Sequence, residues 1–316
     1  MAEKKIIAVL GATGAQGGGL VRAILANPSS GFAVRALTRD PGSEKARALE
    51  ALGAEVVAAD LDDGESLRRA LAGAYGAYFV TFFWAHFSPE REKAEAARMA
   101  EAAAAVGLRH AIWSTLEDTR RWVSLSDDRM PTLMGQYKVP HFDAKGESDA
   151  YFIDAGVPTT FLLTSFYWDN LIHFGMGPRR DADGRLVFTL PMGDKRLPGI
   201  AAEDIGRCAY GIFEAGDAYI DTRVGIAGEH LTGAQMAGEL GRALGEEVHY
   251  HAISPADYRA LGFPGAEDLG NMFQFKQELE LEFCAARDPA VARALNPDLQ
   301  DFKTWLARNK QRIPIA

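Results

Sequence analysis

The stretch IIAVLGATGAQGGGL, residues 6–20, decides the fold class of this chain. An apolar run typical of a buried strand leads into three glycines spaced G-x-x-G-x-x-G, and a helical pattern follows. Gly11 permits a tight turn, Gly14 lets backbone N–H groups approach an anion, and Gly17 allows the helix to pack closely on the strand. The helix N-terminus adds a partial positive charge beside the turn. Because strand, turn and helix occur together, the stretch predicts a binding site for the pyrophosphate of a dinucleotide.

Strand and helix patterns alternate after this stretch, as they do in a parallel sheet covered by helices on both faces. The predicted strands that follow the first are residues 32–38, 55–59, 77–81, 110–114 and 159–163. The predicted helices between them are residues 44–52, 66–71, 89–106 and 141–155. In the less regular later chain we predict strands at 223–227 and 248–252 and helices at 203–215, 232–244, 254–262, 265–278 and 301–309.

This alternation predicts an α/β fold, a doubly wound parallel sheet of the Rossmann type with a smaller C-terminal α/β lobe. We expect the dinucleotide-binding domain to span residues 1–230. The smaller lobe, which completes the cleft, is expected to span residues 231–316.

The regular alternation breaks between Glu117 and Pro140, where no hydrophobic period is visible. A connection of this length within a compact domain is usually functional or mobile. We expect a mobile segment, either a substrate lid or a docking site for a partner, that brings Met130, Met134 and Tyr137 against the nicotinamide side of the cleft when NADPH orders it.

The composition is ordinary for a globular protein, since 47% of the 316 residues are hydrophobic and 24% are charged. A formal net charge of −9 without a basic stripe argues against direct binding of nucleic acid. Cys208 and Cys284 lack the spacing of a metal or redox motif, so we expect two reduced thiols and no metal. No apolar run has membrane-spanning length, and no signal peptide precedes the first strand. We therefore expect a cytoplasmic protein that does not contact membranes.

The residues after the second predicted strand indicate which dinucleotide is bound. In NAD-binding proteins a carboxylate about 20 residues past the glycines accepts a hydrogen bond from the ribose 2′-hydroxyl. This chain has Thr38 and Arg39 there. A guanidinium binds a 2′-phosphate through several donors, whereas a carboxylate repels it. The sequence therefore favours NADP(H), unless Arg39 is only a solvated strand end; Asp40 is expected to point outward.

Two further strand ends lie at the edge of the sheet where open α/β folds bind their ligands. Asp60 either accepts a hydrogen bond from the adenine amino group or caps the turn that follows it. Thr81, Phe82, Phe83 and Trp84 follow the fourth strand. Their aromatic rings either line a nicotinamide site or pack in the core.

The sequence lacks the catalytic Tyr-x-x-x-Lys pair of short-chain dehydrogenases and reductases, in which tyrosine is the general acid and base. None of the nine tyrosines has a lysine four residues later. Instead, His141 and Lys145 stand four residues apart, on one face of a predicted helix, and Ser114 ends the fifth strand. Lys145 suits ribose binding, whereas His141 is either a proton donor or a ring that hydrogen-bonds locally.

Several stretches of the chain resemble the NmrA-like family, atypical members of the short-chain dehydrogenase/reductase superfamily, with its human redox-sensing member as the nearest likeness. The matching stretches are residues 11–17 (GATGAQG), 34–39 (VRALTR), 53–57 (GAEVV) with Asp60, 141–147 (HFDAKGE), 167–170 (YWDN), 261–266 (LGFPGA) and 271–273 (NMF). They run nearly from end to end, which makes the resemblance more specific than the glycine spacing alone.

The resemblance implies a full set of cofactor-binding residues. The residues implied to hold NADP(H) are Gly11, Thr13, Gly14, Ala15, Gln16, Gly17 and Arg39, with Asp60 and Leu61 at the adenine. Those implied to surround the nicotinamide half are Thr81, Phe82, Phe83, Lys145, Tyr167 and Asn170. Because the segment from Glu117 to Val139 is longer than in the human-like members, the resemblance implies no role for it.

Two functions remain open. Family members lack the catalytic tyrosine, as this chain does, and several read the NADPH/NADP⁺ ratio and act through partners. The resemblance thus implies a redox sensor or regulator with a protein partner or a second copy of itself. The alternative is an NADPH-dependent reductase of quinones, enones or similar small molecules, in which the proton comes from solvent.

Overall fold

The computed structural model describes residues 3–315 and contains a parallel sheet. The strands, in chain order, are β1 (Lys5–Val9), β2 (Phe32–Thr38), β3 (Glu55–Ala58), β4 (Gly76–Phe79), β5 (His110–Thr115), β6 (Thr159–Leu163), β7 (Phe166–Tyr167), β8 (Arg179–Arg180), β9 (Leu186–Thr189), β10 (Arg196–Ile200), β11 (Arg223–Gly225), β12 (Glu229–Thr232) and β13 (Val248–His251). Seven of them form this sheet in the order β11-β6-β5-β4-β1-β2-β3. The strand order reverses direction between β1 and β4, which is the switch point of a doubly wound sheet.

Helices connect and cover these strands. They are α1 (Ala15–Ala26), α2 (Glu44–Ala51), α3 (Gly64–Leu71), α4 (Pro89–Ala105), α5 (Pro140–Asp154), α6 (Asn170–His173), α7 (Ala202–Glu214), α8 (Gly233–Leu244), α9 (Pro255–Arg259), α10 (Ala266–Glu278), α11 (Glu280–Ala285), α12 (Pro289–Leu295) and α13 (Phe302–Asn309). The predicted α/β fold with a doubly wound sheet is confirmed.

Burial explains why the central strands form. Ile7, Ala8 and Val9 of β1 are fully buried, because both faces of a parallel sheet are covered by helices. On one face, Phe79 and Trp113 pack with Phe152 in a core that also holds the apolar side of α4.

The chain divides into two compact units. Unit 1 runs to Asp118 and includes His141–Leu163 and Glu203–Val224, whereas unit 2 combines Thr119–Pro140, Thr164–Ala202 and the chain from Gly225 onward. This division differs from the single boundary at residue 230 that the sequence suggested. The reason is strand pairing, since β10 pairs with β12 and β9 with β13, so residues before 230 fold with residues after it.

Unit 2 contains five short strands, β7 to β10 and β12, where the sequence predicts no strand. They belong to two three-stranded sheets, β12-β10-β7 and β13-β9-β8. A tight connection joins β8 to β9, with Gly184 at a φ of +80°. The dipeptide Asp183-Gly184 is typical of a hairpin connection, and it is the sequence feature from which this pair of strands could have been predicted.

The segment from Thr119 to Pro140 is packed within unit 2, contrary to the expectation of a mobile connection. Met130 and Tyr137 are buried, while Met134 is exposed. The Lys138 ammonium donates to the carbonyl oxygens of Asp127 (2.7 Å) and Met130 (2.6 Å).

Side chains of α10 hold the same segment in place. Asn271 Nδ2 donates to the carbonyl oxygens of Pro131 (2.8 Å) and Lys138 (2.6 Å), and Gln274 Nε2 donates to that of Arg129 (2.8 Å). Several backbone carbonyl groups of the segment therefore accept from side chains, and its other backbone hydrogen bonds belong to short turns and one β-bridge, so no long helix or strand gives it a sequence period.

Two expectations from the sequence concern membrane-spanning segments and the state of the two cysteines. In residues 3–315, every helix is too short or too polar to span a bilayer. Cys208 and Cys284 are both buried and form no disulfide within this range. Burial raises the pKa of the Cys208 thiol, which favours its protonated form.

Candidate functional site

The glycine turn between β1 and α1 has little room for side chains. Gly11 has a φ of +64°, and the Gly14 N–H donates to its carbonyl oxygen at 2.8 Å. A Cβ atom at Gly17 would lie 2.5 Å from the same oxygen, and one at Gly14 would lie 3.1 Å from it. The turn therefore folds back on itself as closely as the predicted pyrophosphate site requires.

The first turn of α1 is suited to an anion. Its N-cap, Gly14, provides no side-chain cap, and the first turn contains no acidic residue. Gly11, Gly14 and Ala15 are exposed, and Thr13 and Gln16 are half-buried. The start of α1 thus lies at the surface, where its first N–H groups and the positive end of the helix dipole favour an anion.

Gln16 links the glycine turn to the sheet. Its side-chain oxygen Oε1 accepts hydrogen bonds from the Tyr78 hydroxyl of β4 and, at 2.8 Å, from Ser114 Oγ of β5. The hydroxyl proton of Ser114, a candidate catalytic residue, is therefore used to position the turn. Tyr78 was missed by the sequence analysis, because its position inside a buried strand resembles an ordinary core residue.

At the end of β2, Arg39 is exposed, and the Asp40 carboxylate turns away into its own loop. Asp40 Oδ1 accepts from the Gly42 N–H at 2.9 Å. The Arg39 guanidinium is thus left as the charged group that extends from this strand end.

At the end of β3, Asp60 caps the following turn, because its Oδ1 accepts from the Asp62 N–H at 3.0 Å. This contact matches one of the two roles left open for Asp60. Leu61 is half-buried against the core, and its carbonyl oxygen accepts from Arg98 Nε at 2.6 Å.

A buried polar cluster lies beyond β4, where Thr81, Glu92 and Lys145 meet. Lys145 Nζ donates to Thr81 Oγ1 at 2.6 Å and to Glu92 Oε1 at 2.9 Å, and the Thr81 hydroxyl donates to the same carboxylate. The Glu92 side chain is 0% exposed, whereas Lys145 is 12% exposed. Lys145 also lies over the Trp113 ring, 5.0 Å from its centroid. Glu92 was not predicted, since its place in a helix rich in charged residues gives no sign of burial.

His141 lies in an aromatic cluster. Its ring centroid is 4.8 Å from that of Trp84 and 5.9 Å from that of Phe83, and its side chain is buried. Phe82, the residue before Phe83 in the chain, is 57% exposed. Residues 81–84 thus include both a ring packed in the core, that of Phe83, and an exposed ring, that of Phe82.

Tyr167 and Asn170 belong to unit 2. Tyr167 ends β7, opposite Ile200 of β10, and its hydroxyl donates to Thr164 Oγ1 at 3.2 Å. Asn170 begins α6 and is half-buried.

His86, Glu92 and Glu95 form a cluster with the composition of a metal site, with ligand atoms within 4.8 Å of one another. His86 Nδ1 accepts from the Ser88 N–H at 3.0 Å, so the proton of the neutral ring lies on Nε2, which faces Glu92 Oε2 at 3.5 Å. A metal ion at Nε2 would require a ring without either proton. We therefore assign no metal to this cluster.

The doubly wound sheet and its glycine turn define a protein of the Rossmann type. The profile of the NmrA-like family matches residues 3–306. The NmrA-like family domain-containing oxidoreductase FrzB of Cladobotryum sp is 31% identical over 297 residues, covering 86% of this chain and 84% of that protein. The chain therefore belongs to the NmrA-like family.

Solved structures agree with this fold. The structure of NmrA, a negative transcriptional regulator, in complex with NADP has a TM-score of 0.77 and 24% identity, covering 97% of this chain and 95% of that one. The triphenylmethane reductase of Citrobacter sp. in complex with NADP(H) has a TM-score of 0.73 and 18% identity, covering 96% and 99%. At these identities the likeness shows the fold.

Proposed function

We propose that unit 1 binds NADP(H) and that the protein reports the redox state of this cofactor, as a sensor or regulator. The tight glycine turn with its uncapped helix start supports a pyrophosphate site. The exposed Arg39 supports a 2′-phosphate, because the neighbouring carboxylate is turned away from it. The structures of NmrA with NADP and of triphenylmethane reductase with NADP(H) add support from the same fold.

The residues present fit the cofactor. Backbone N–H groups at the start of α1 would hold the pyrophosphate, and Arg39 would hold the 2′-phosphate. Thr81 and Lys145 follow the strands on the other side of the switch point, where the nicotinamide half would lie. Nicotinamide supplies hydride chemistry when it is bound.

One observation carries the regulatory proposal, namely the surroundings of Lys145. The residue one helical turn before it is His141, whose ring packs against Phe83 and Trp84. Lys145 itself is paired with Glu92. The position one helical turn before Lys145 therefore holds a histidine packed among aromatic rings, and not the tyrosine acid that a dehydrogenase of this superfamily would use for a forming alkoxide.

The second candidate is a reductase, favoured by the oxidoreductase name of the FrzB relative and by the exposed ring of Phe82. A site without a side-chain acid suits acceptors such as quinones or enones. Such an acceptor would take the hydride from NADPH and the balancing proton from water, leaving NADP⁺.

NADPH oxidation by the purified protein against quinones, enones and aldehydes separates the two candidates. We expect NADPH binding with little oxidation above the rate without protein, and no effect of His141→Ala on that rate. Lys145→Ala should weaken the binding of NADPH, and Lys303→Ala, an exposed control, should not. Fast turnover that falls by about 10²–10⁴ in His141→Ala would instead establish the reductase.

A further inference from the structure

The Lys145–Glu92 ion pair places a compensated charge beside the expected nicotinamide site. Lys145 Nζ lies 2.9 Å from Glu92 Oε1, and the carboxylate is completely buried. The Thr81 hydroxyl uses its proton on the same carboxylate and accepts from the ammonium. Two of the three ammonium donors are therefore directed into the protein, and the pair is held in one arrangement.

Of the other ionisable groups near this pair, His86 faces Glu92 Oε2 at 3.5 Å, whereas Glu95 and Lys93 have partners of their own. Glu95 Oε1 accepts from Arg91 Nε at 3.1 Å, and burial raises the pKa of the Glu95 carboxyl. Lys93 pairs with Glu147 at 2.9 Å. The charge of Lys145 is thus balanced chiefly by Glu92, because the Glu92 carboxylate is the acidic group in direct contact with it.

The position of the pair relative to the cofactor rests on the proposed NADP(H) site. If Arg39 holds the 2′-phosphate at the end of β2, the adenosine half lies over β1, β2 and β3. The nicotinamide half then lies over the ends of β4 and β5, on the other side of the switch point. Thr81 follows β4, and Lys145 lies near the start of α5.

We infer that Glu92 sets the preference of this protein between NADP⁺ and NADPH. The nicotinamide ring is cationic in NADP⁺ and neutral in NADPH, so a nearby uncompensated charge changes the affinity for one form and not for the other. The Glu92 carboxylate cancels the ammonium of Lys145 and thereby lets the oxidised cofactor bind. A protein that reads the NADPH/NADP⁺ ratio needs such a balance, and the buried carboxylate provides it.

The test measures dissociation constants for NADP⁺ and NADPH by calorimetry, with all variants at the same pH and salt concentration. Glu92→Gln keeps the shape of the side chain and removes its charge. It should raise the ratio of Kd for NADP⁺ to Kd for NADPH about tenfold, the order expected for one charge at a partly buried site. Glu101→Gln, an exposed position on the same helix, is the matched control and should leave the ratio unchanged.

Lys145→Met provides a test with the opposite sign. It leaves the carboxylate uncompensated and should lower the same ratio about tenfold, even though loss of the ammonium weakens both cofactors. The double variant, Glu92→Gln with Lys145→Met, should return the ratio to within about twofold of wild type. A purely structural role for Glu92 would not reverse the sign between the two single variants.

Several outcomes would overturn the inference. Single variants that shift the ratio in the same direction, or leave it unchanged while still binding, would contradict the electrostatic role but leave NADP(H) binding intact. If circular dichroism shows that Glu92→Gln does not fold, an unchanged ratio of the two dissociation constants in Lys145→Met is sufficient to reject the electrostatic role of Glu92. A wild-type protein that binds neither cofactor would reject the proposed function itself.

Discussion

The exposed guanidinium of Arg39, at the end of β2, is expected to determine whether the protein prefers NADP(H) or NAD(H). The carboxylate of Asp40 could have cancelled the charge of Arg39, but it accepts a hydrogen bond from the Gly42 N–H instead. Arg35, on the same strand, is already bound to Glu55 and to two backbone carbonyl groups. Of these two arginines, Arg39 is therefore the one that is exposed and able to bind a phosphate.

We predict that Arg39→Ala weakens NADPH binding about ten- to 150-fold and leaves NADH binding nearly unchanged. The loss corresponds to about 1.5–3 kcal/mol for a hydrogen bond to a charged group. Fluorescence titration with each cofactor measures it. Arg109→Ala, an exposed arginine before β5, is the control. Equal losses for NADPH and NADH would show that Arg39 does not contact the 2′-phosphate.

Residue by residue, local sequence patterns identify candidate cofactor-binding residues but not the buried side chains that contact them. Gly11, Gly17 and Lys145 follow from local spacing, which one strand, turn or helix is enough to define. Glu92 does not, because its burial arises from contact with Lys145, 53 residues away in the chain, and no local pattern in α4 reports that contact. Tyr78 was missed for the same reason.

Among the elements, the unit of β1, turn and α1 depends most strictly on its sequence. A Cβ atom at Gly17 would lie 2.5 Å from the Gly11 carbonyl oxygen, which is backbone and has little freedom to move. At Gly31, by contrast, a Cβ atom would meet nothing within 4 Å, and the backbone needs no positive φ. Gly17 therefore serves as the crowded test position and Gly31 as its uncrowded control.

We predict that Gly17→Ala destabilises the protein by about 1–3 kcal/mol, through overpacking of the turn. Gly31→Ala should be neutral or stabilising by up to about 1 kcal/mol, since alanine restricts the unfolded chain. Urea unfolding of the two variants without cofactor measures both effects. Similar stabilities would show that the turn relaxes around the added methyl group.

The elements that the sequence predicts are those with a local signal. The strand at 32–38 and the strand at 159–163 match β2 and β6 residue for residue, because each is a buried apolar run with clear ends. β9 and β10 were missed because they are short and β10 contains Pro198 and Gly199, which are rare in strands. Their pairing with β13 and β12 stabilises them from a distance.

For the whole molecule, one buried histidine links stability to pH. His110 Nε2 lies 2.8 Å from Thr160 Oγ1, whose hydroxyl donates to the Tyr219 carbonyl oxygen, so Nε2 carries the proton of the neutral ring. Its Nδ1 has no hydrogen-bond partner. Burial lowers the pKa of His110 from 6.5 to about 4, because a proton on Nδ1 would be buried without an acceptor.

We predict that this histidine weakens the fold as pH falls from about 6.5 toward 4. Below about pH 6.5, His110 binds a proton in the unfolded chain but stays neutral in the folded protein. The free energy of unfolding therefore decreases as the pH falls. Between about pH 7 and pH 5 the loss should be about 1–2 kcal/mol larger in the wild type than in His110→Gln. Urea unfolding at both pH values measures it. His251→Gln, an exposed control, should keep the wild-type slope, and an equal slope in His110→Gln would refute the assignment.

The anchoring of residues 119–140 by α10 has a consequence for synthesis of the protein. The ribosome completes this segment long before Asn271 and Gln274, whose amide groups bind its backbone carbonyl oxygens. Until α10 has emerged, those carbonyl groups lack the amide donors that bind them in the folded protein. A nascent chain therefore passes through a long stage in which an upstream stretch is open to proteases and chaperones, and a premature stop before α10 would leave it so permanently.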